Sequence, residues 1–240
     1  MLKNTYQLTA QSNANNATPV QGTLTDEAVS FCPAPAVPAK STAGSQGILF
    51  IDTETTGLGY LEEVVEIAIV DVNENILFES LVKPRVPITS GACAVHGITN
   101  EMVAKAPNFS DILPTIQRIV KGYDLVFYNA TFDKGKIART AFTSIYPKSK
   151  NLSANFDDYF SNPTHCLMRQ YAEFWGDWDD YFNSYTWQTL VNACYQQAIS
   201  IDDIPNHRAS GDAIKTARLW RKRQEVGWTY PVYEDDGFPF

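Results

Sequence analysis

The apolar residues of this chain come in short runs separated by turn-forming residues. Ile48-Leu49-Phe50-Ile51 is a continuous apolar run of the kind a buried strand carries, and Gly57 marks where it breaks. Two further strands are predicted over Val64 to Asp71 and over Asn75 to Val82, and the short spacing from Asp71 to Asn75 makes them a hairpin. A helix is predicted near Asp111 to Lys121. Asp124-Leu125-Val126-Phe127-Tyr128 then reads as a strand leading into a helix whose Ile137, Ala138, Ala141 and Phe142 share one face. A strand that follows a helix suits a parallel crossover. Tyr185 to Leu190 is expected to begin another helix. A last helix carries Ala213, Ala217 and Trp220 on one side, with Ser210 as its expected N-cap. The order predicts an α/β fold, a mixed sheet flanked by helices.

Composition places the edges of that fold. Residues 1–46 are rich in Asn, Ala, Thr, Gln, Ser and Pro, with almost no apolar periodicity, so they are expected to form a disordered tail or tether. Residues 47–225 form one expected domain, long enough for a substantial core, and 226–240 an acidic aromatic tail. The start lacks the basic and apolar stretches of a signal peptide and nothing is long enough to span a membrane, so a soluble, cytoplasmic protein is expected. Cys32, Cys93, Cys166 and Cys194 are widely spaced, which indicates neither a zinc site nor a disulfide framework. Gly57-Leu58-Gly59 runs into Tyr60 without the spacing of a dinucleotide loop, so no nucleotide cofactor is expected.

Four carboxylates and a histidine change the picture. Asp52 and Glu54 stand two apart on a strand and so face one side. Two such carboxylates repel unless a cation lies between them, and a divalent metal is the economical answer. Asp133, in Asn129-Ala130-Thr131-Phe132-Asp133, falls at a strand-to-helix junction. Asp212 falls in the first turn of the last helix, and His207 on the loop before it, free to face a cleft. Taken singly, each has an ordinary structural explanation as a cap, a dipole partner or a solvated side chain. Their joint occurrence in this order favours metal-assisted phosphodiester hydrolysis.

The three segments resemble the motifs of the DnaQ-like DEDDh 3′-5′ exonucleases, the family of proofreading subunits and related trimming nucleases. Asp52-Thr53-Glu54-Thr55-Thr56-Gly57-Leu58 is similar to that family's first motif, Asn129 to Asp133 to its second, and His207-Arg208-Ala209-Ser210-Gly211-Asp212 to its third. The likeness runs from about Gly47 to about Arg223. Tyr128 stands where family members often have His. The resemblance implies a ribonuclease H-like fold in which Asp52, Glu54, Asp133 and Asp212 bind two Mg²⁺ or Mn²⁺ ions, roughly 4 Å apart, and His207 acts as general base. With an unperturbed pKa of about 6.5, a histidine is available as the neutral base at physiological pH. Thr53, Thr55, Leu58, His96 and Asn129 are assigned to substrate binding. Leu58 would press on a terminal base and His96-Gly97-Ile98-Thr99 resembles a loop that holds the terminal nucleotide, although packing serves equally for both.

The expected activity is release of nucleoside 5′-monophosphates from the 3′ end of DNA. An RNA-trimming exonuclease and a non-catalytic binding subunit of a replication or repair complex are the alternatives. The net charge of −8 is half accounted for by the four proposed ligands. Guidance of phosphates is expected from Lys134, Lys136 and Arg139 or from Arg218, Arg221, Lys222 and Arg223, unless these are ordinary helix-face residues. Asp157-Asp158-Tyr159-Phe160 recurs as Asp179-Asp180-Tyr181-Phe182, in an acidic aromatic insertion suited to packing or to a protein partner. The chain's end, Glu234-Asp235-Asp236-Gly237-Phe238-Pro239-Phe240, resembles the acidic tip of bacterial single-stranded DNA-binding proteins and is a second candidate contact for a protein partner.

Overall fold

A computed structural model of the protein describes residues 47–149, 154–205 and 207–228. The tail expected over residues 1–46 and the acidic C-terminal tip lie outside the described residues. The elements in chain order are strands β1 (Gly47–Thr55), β2 (Val64–Asp71) and β3 (Ile76–Leu81), helices α1 (Ser90–His96), α2 (Asn100–Val103) and α3 (Phe109–Val120), then β4 (Tyr123–Phe127) and α4 (Ala130–Ile145). A 3-10 turn over Phe156–Asp158 precedes β5 (Thr164–Cys166), α5 (Leu167–Trp175), a small hairpin of β6 (Trp178–Asp179) and β7 (Ser184–Tyr185), α6 (Leu190–Gln196) and α7 (Ala209–Val226).

The first five strands form one mixed sheet in the order β3-β2-β1-β4-β5. β1 pairs antiparallel with β2 and parallel with β4, so it lies at the centre. The β2–β3 hairpin is closed by Asp71, whose Oδ1 accepts the N–H groups of Asn73 (2.8 Å) and Asn75 (2.9 Å). The parallel β1–β4 pair is the crossover that the intervening helices require. This is the mixed sheet flanked by helices of the ribonuclease H-like fold.

Alternation along β1 sorts its side chains between two cores. Leu49 and Ile51 join a buried cluster with Phe109, Leu113 and Ile116 of α3 and Ile137 and Ala141 of α4. Phe50 faces the other way, into a cluster with Leu167 and Tyr171 of α5 and Ala213, Ala217 and Trp220 of α7. Phe50 meets Trp220 edge-on at 6.2 Å. The same alternation carries Asp52 and Glu54 to the α7 side and Thr53 to the α4 side. Beyond α7, Trp228 is buried and stacks on Phe174 at 4.6 Å.

Two local expectations change. Ser210 is not the N-cap of the last helix: α7 begins at Ala209, and the Ala209 N–H is taken by the buried carboxylate of Glu66 on β2. A partner from a distant strand replaces the local hydroxyl. The helix expected from Tyr185 begins only at Leu190, because the Thr189 hydroxyl caps it by accepting from the Asn192 N–H. The repeated Asp-Asp-Tyr-Phe is not a structural repeat, since Phe160 is buried in the core while Phe182 is 71% exposed on the β6–β7 turn.

Candidate active site

Asp52 and Glu54 project from the C-terminal half of β1, and Asp212 from the first turn of α7. One carboxylate oxygen from each lies within 4.8 Å of the other two. Asp133 sits one turn into α4, almost fully buried, and accepts a hydrogen bond from Thr53 Oγ1 at 2.7 Å. The helix it stands on is capped by Asn129, whose side chain accepts from the Phe132 N–H. The N-terminal ends of α4 and α7 therefore bring Asp133 and Asp212 to the end of the central strand that carries Asp52 and Glu54. Helix N-termini favour negative charge, which helps both aspartates stand there.

The charges are not balanced by the protein alone. Two carboxylates this close repel by on the order of 3–4 kcal/mol at an effective dielectric near 20. Burial raises the Asp52 pKa well above the ordinary carboxylate value, and the charges of Asp133, Asp212 and Glu54 push it further. Glu54 is pushed up to about 8, first by burial and then by Asp212 and Glu66. Asp133 is pushed up to about 7 by burial, with the Thr53 hydrogen bond opposing. Lys215, 1% exposed, enters the cluster and donates to Asp212 Oδ1 at 2.6 Å. Among the described residues Lys215, with Arg208 acting on Glu54 from farther off, leaves four carboxylates short of positive charge, and carboxylate oxygens are the donors that hard divalent cations take. The residues present thus fit a metal centre.

His207 is not part of that gathering. It is exposed, its backbone lies in the left-handed region (φ 54°), and it lines a cavity of about 400 Å³ with Val191, Tyr195, Ile201, Asp202 and Ile204. The other two histidines have internal partners. His96 Nδ1 accepts from the Ile98 N–H at 3.0 Å, so Nε2 carries the proton that meets the Thr55 carbonyl at 3.1 Å. His165 Nε2 lies 3.0 Å from Asp124.

The remaining expected substrate residues divide sharply. Thr53 and Thr55 are buried, Thr55 donating to the Gly57 carbonyl at 2.9 Å, whereas Leu58 is 87% exposed on the loop that follows β1. Tyr128, in the place of the family's usual histidine, donates from its hydroxyl to the Gln188 carbonyl at 2.7 Å and so ties the second motif to the chain entering α6.

The basic residues after the second and third motifs have partners within the fold. Lys136 is buried and bonds the Gly59 carbonyl, and Arg139 lies over the Tyr60 ring. Lys134 meets Thr164 and Asp157. Arg218 and Arg221 share Glu74, Lys222 pairs with Glu225, and Arg223 lies over Trp220. Sequence reasoning also missed Lys215, which reads as an exposed helix lysine, and the pair formed by Glu66 and Arg208. The signal for Glu66 was present as one carboxylate inside the apolar run Val64-Val65-Glu66-Ile67-Ala68.

A ribonuclease H-like sheet with carboxylates converging on the end of its central strand defines a nuclease. Residues 49–220 match the RNase T exonuclease family profile. Exonuclease CP81 of Escherichia phage 186, itself uncharacterized, is 40% identical over 169 residues, 70% of this chain and 83% of its own length. The DNA polymerase III subunit epsilon of Buchnera aphidicola subsp. Schizaphis graminum is 32% identical over 119 residues, 45% of this chain and 51% of its own length. The solved structure of Exonuclease X in complex with 5′ overhanging duplex DNA superimposes with a TM-score of 0.54 at 28% identity, covering 76% of this chain and 95% of that one. The chain belongs to the DnaQ-like 3′-5′ exonuclease family. It is an exonuclease, a hydrolase of phosphodiester bonds.

Proposed function

We propose that this protein removes nucleotides from the 3′ end of DNA, with residues 47–225 as its catalytic unit. The observation that carries the reading is the convergence of Asp52, Glu54 and Asp212 within 4.8 Å of one another, beside a buried Asp133. Asp52, Glu54, Asp133 and Asp212 would hold two divalent cations, Mg²⁺ or Mn²⁺. When bound, such ions supply polarisation of the phosphate, acidification of the attacking water and neutralisation of the leaving oxygen.

The chain's own residues do the rest. Thr53 fixes the Asp133 carboxylate from the opposite face of β1, so that it cannot rotate away. His207 takes the proton of the attacking water as general base, a role open to the histidine whose ring is exposed at the start of α7. Leu58, exposed at the lip, meets the terminal base, while Thr53, Thr55, His96 and Asn129 shape the loops around it. DNA as substrate is supported by relatives that are named as a DNA polymerase subunit and as an exonuclease bound to duplex DNA.

The test is incubation of the purified protein with 5′-labelled single-stranded DNA, matched RNA and duplex DNA, with Mg²⁺, Mn²⁺ or EDTA, beside Asp52→Ala and His207→Ala. A ladder shortening from the 3′ end of the DNA, lost in EDTA and in Asp52→Ala, is the expected result. His207→Ala should lose about 10²–10⁴ in rate yet retain metal binding. Turnover that persists in EDTA, or in Asp52→Ala, would overturn the reading, and preference for RNA would replace the substrate.

A further inference from the structure

The span that carries His207 is fastened on both sides. On its C-terminal side the Arg208 guanidinium grips the Glu66 carboxylate, with Nε at 3.1 and 3.0 Å from the two oxygens and Nη2 also donating. The same carboxylate accepts the Ala209 N–H at 2.9 Å, so a single side chain on β2 holds both the residue after His207 and the first turn of α7. On the N-terminal side, the Pro205 carbonyl packs against Gly211, where a Cβ would stand 2.2 Å from it, and receives Lys215 Nζ at 3.4 Å.

Glu66 is 1% exposed and stands directly opposite Glu54 in the β1–β2 register. Its neighbours Val64, Val65, Ile67 and Ala68 are apolar and buried, and a well-packed apolar residue in place of a buried ion pair is often neutral or stabilising. Glu66 has a structural role of its own as the cap of the Ala209 N–H, whereas Arg208, whose side chain is 40% exposed, adds direction to the span before it. A planar, bidentate guanidinium does define direction, because its donors match both carboxylate oxygens at once.

We infer that Arg208, held by Glu66, is a positioning residue that fixes the point from which His207 serves the reaction. The inference rests on the assignment of His207 as the general base. The Arg208 guanidinium bonds Glu66 and not the four site carboxylates, so it acts through the backbone of the residue before it.

The test is a double-mutant cycle on the full chain, with 5′-labelled single-stranded DNA and Mn²⁺. The paired change Glu66→Met with Arg208→Met removes both charges, so that no buried carboxylate is left without a partner. Loss of the Ala209 N–H cap should lower the melting temperature by several degrees, and kcat, read where the variant is fully folded, should fall by about 10²-fold, the scale of a misplaced catalytic group, with KM little changed. In a His207→Ala background the same pair should cost less than about 3-fold, since residues that act as a unit are not additive. Arg208→Lys, which keeps the charge but not the fork, should recover part of the rate and serves as the probe if the pair does not fold. An equal loss in both backgrounds, or a parental kcat in the pair or in Arg208→Lys, would overturn the inference. Parental activity in His207→Ala alone would remove the base assignment as well, and that outcome is distinct because Asp52→Ala would still be inactive.

Discussion

The Thr53 hydroxyl donates to the Asp133 carboxylate at 2.7 Å, joining residues 80 positions apart across the middle of the sheet. Thr53 faces away from its neighbours Asp52 and Glu54, so β1 supplies two carboxylates on one side and the orientation of a third from the other. Thr53→Val keeps the shape and β-branching but removes the donor. It should lower stability by about 1–3 kcal/mol, read by urea unfolding, and reduce turnover under conditions where the protein is still folded.

Asp52 sits where function and stability oppose one another. Asp133, Asp212 and Glu54 all push against its charge. Asp52→Asn should therefore raise the melting temperature of the metal-free protein while abolishing exonuclease activity. Calorimetry with and without EDTA, beside the labelled-DNA assay, checks both halves, and a lower melting temperature in the variant would show that the charge is compensated within the fold.

The acidic cluster also sets a pH dependence. Glu54 is raised to about 8 and Asp133 to about 7, so between the ordinary carboxylate range and those values the folded chain retains protons that the unfolded chain has released. The associated stability is fully present below the ordinary carboxylate range and is lost as pH rises through about 7 to 8. Metal-free protein should melt at lower temperature at pH 8.5 than at pH 6 for this reason. Added Mn²⁺ should give a larger increase in melting temperature at the higher pH, because binding requires deprotonated ligands. Melting curves over that range in EDTA and in Mn²⁺ make the measurement.

Leu58, 87% exposed, is free of the core. Leu58→Ala should leave the unfolding free energy within about 0.5 kcal/mol. If the side chain meets the terminal base, kcat/KM for DNA should fall by an amount corresponding to about 1–3 kcal/mol, the scale of a base-stacking contact. Unchanged kcat/KM would assign Leu58 no part in substrate binding.

Gly211 marks a close approach of backbone to backbone. A Cβ there would stand 2.2 Å from the Pro205 carbonyl oxygen, so Gly211→Ala must push the loop and α7 apart. A loss of about 1–3 kcal/mol is expected from overpacking, with a disproportionate fall in activity because both His207 and Asp212 ride on the displaced segments.

Strand alternation made the shared face of Asp52 and Glu54 legible in the sequence, and the apolar runs around Leu49, Ile67 and Leu125 gave the mixed sheet. The β2 strand was legible from end to end because all of its residues are buried and most of them apolar. Partners that meet only in the folded chain were not legible. Glu66 and Arg208 are 142 residues apart, and local capping logic pointed to Ser210, whereas the cap comes from β2. Lys215 reads as a solvated helix residue until the tertiary fold turns it inward against Asp212. Arg218 and Arg221 looked unpaired because their shared partner, Glu74, lies 144 and 147 residues away in sequence. The β6–β7 hairpin is too short for a periodic signal, and its tip, Tyr181 and Phe182, is set by Asp179 Oδ1 accepting both of their N–H groups.

The first half of β1, Gly47–Phe50, lies beside β4, its length from Leu49 onward pairs with β2, and helices pack on both of its faces. Amide hydrogens in such a strand exchange only when most of the sheet comes apart, in contrast to those of edges and loops. Asp52 and Glu54 stand just beyond that doubly paired stretch, on a continuation of β1 held by β2. Partial opening at β3 or β5, the two borders of the sheet, leaves them in place, and loss of the site during denaturation should coincide with the slowest-exchanging amides of the whole domain.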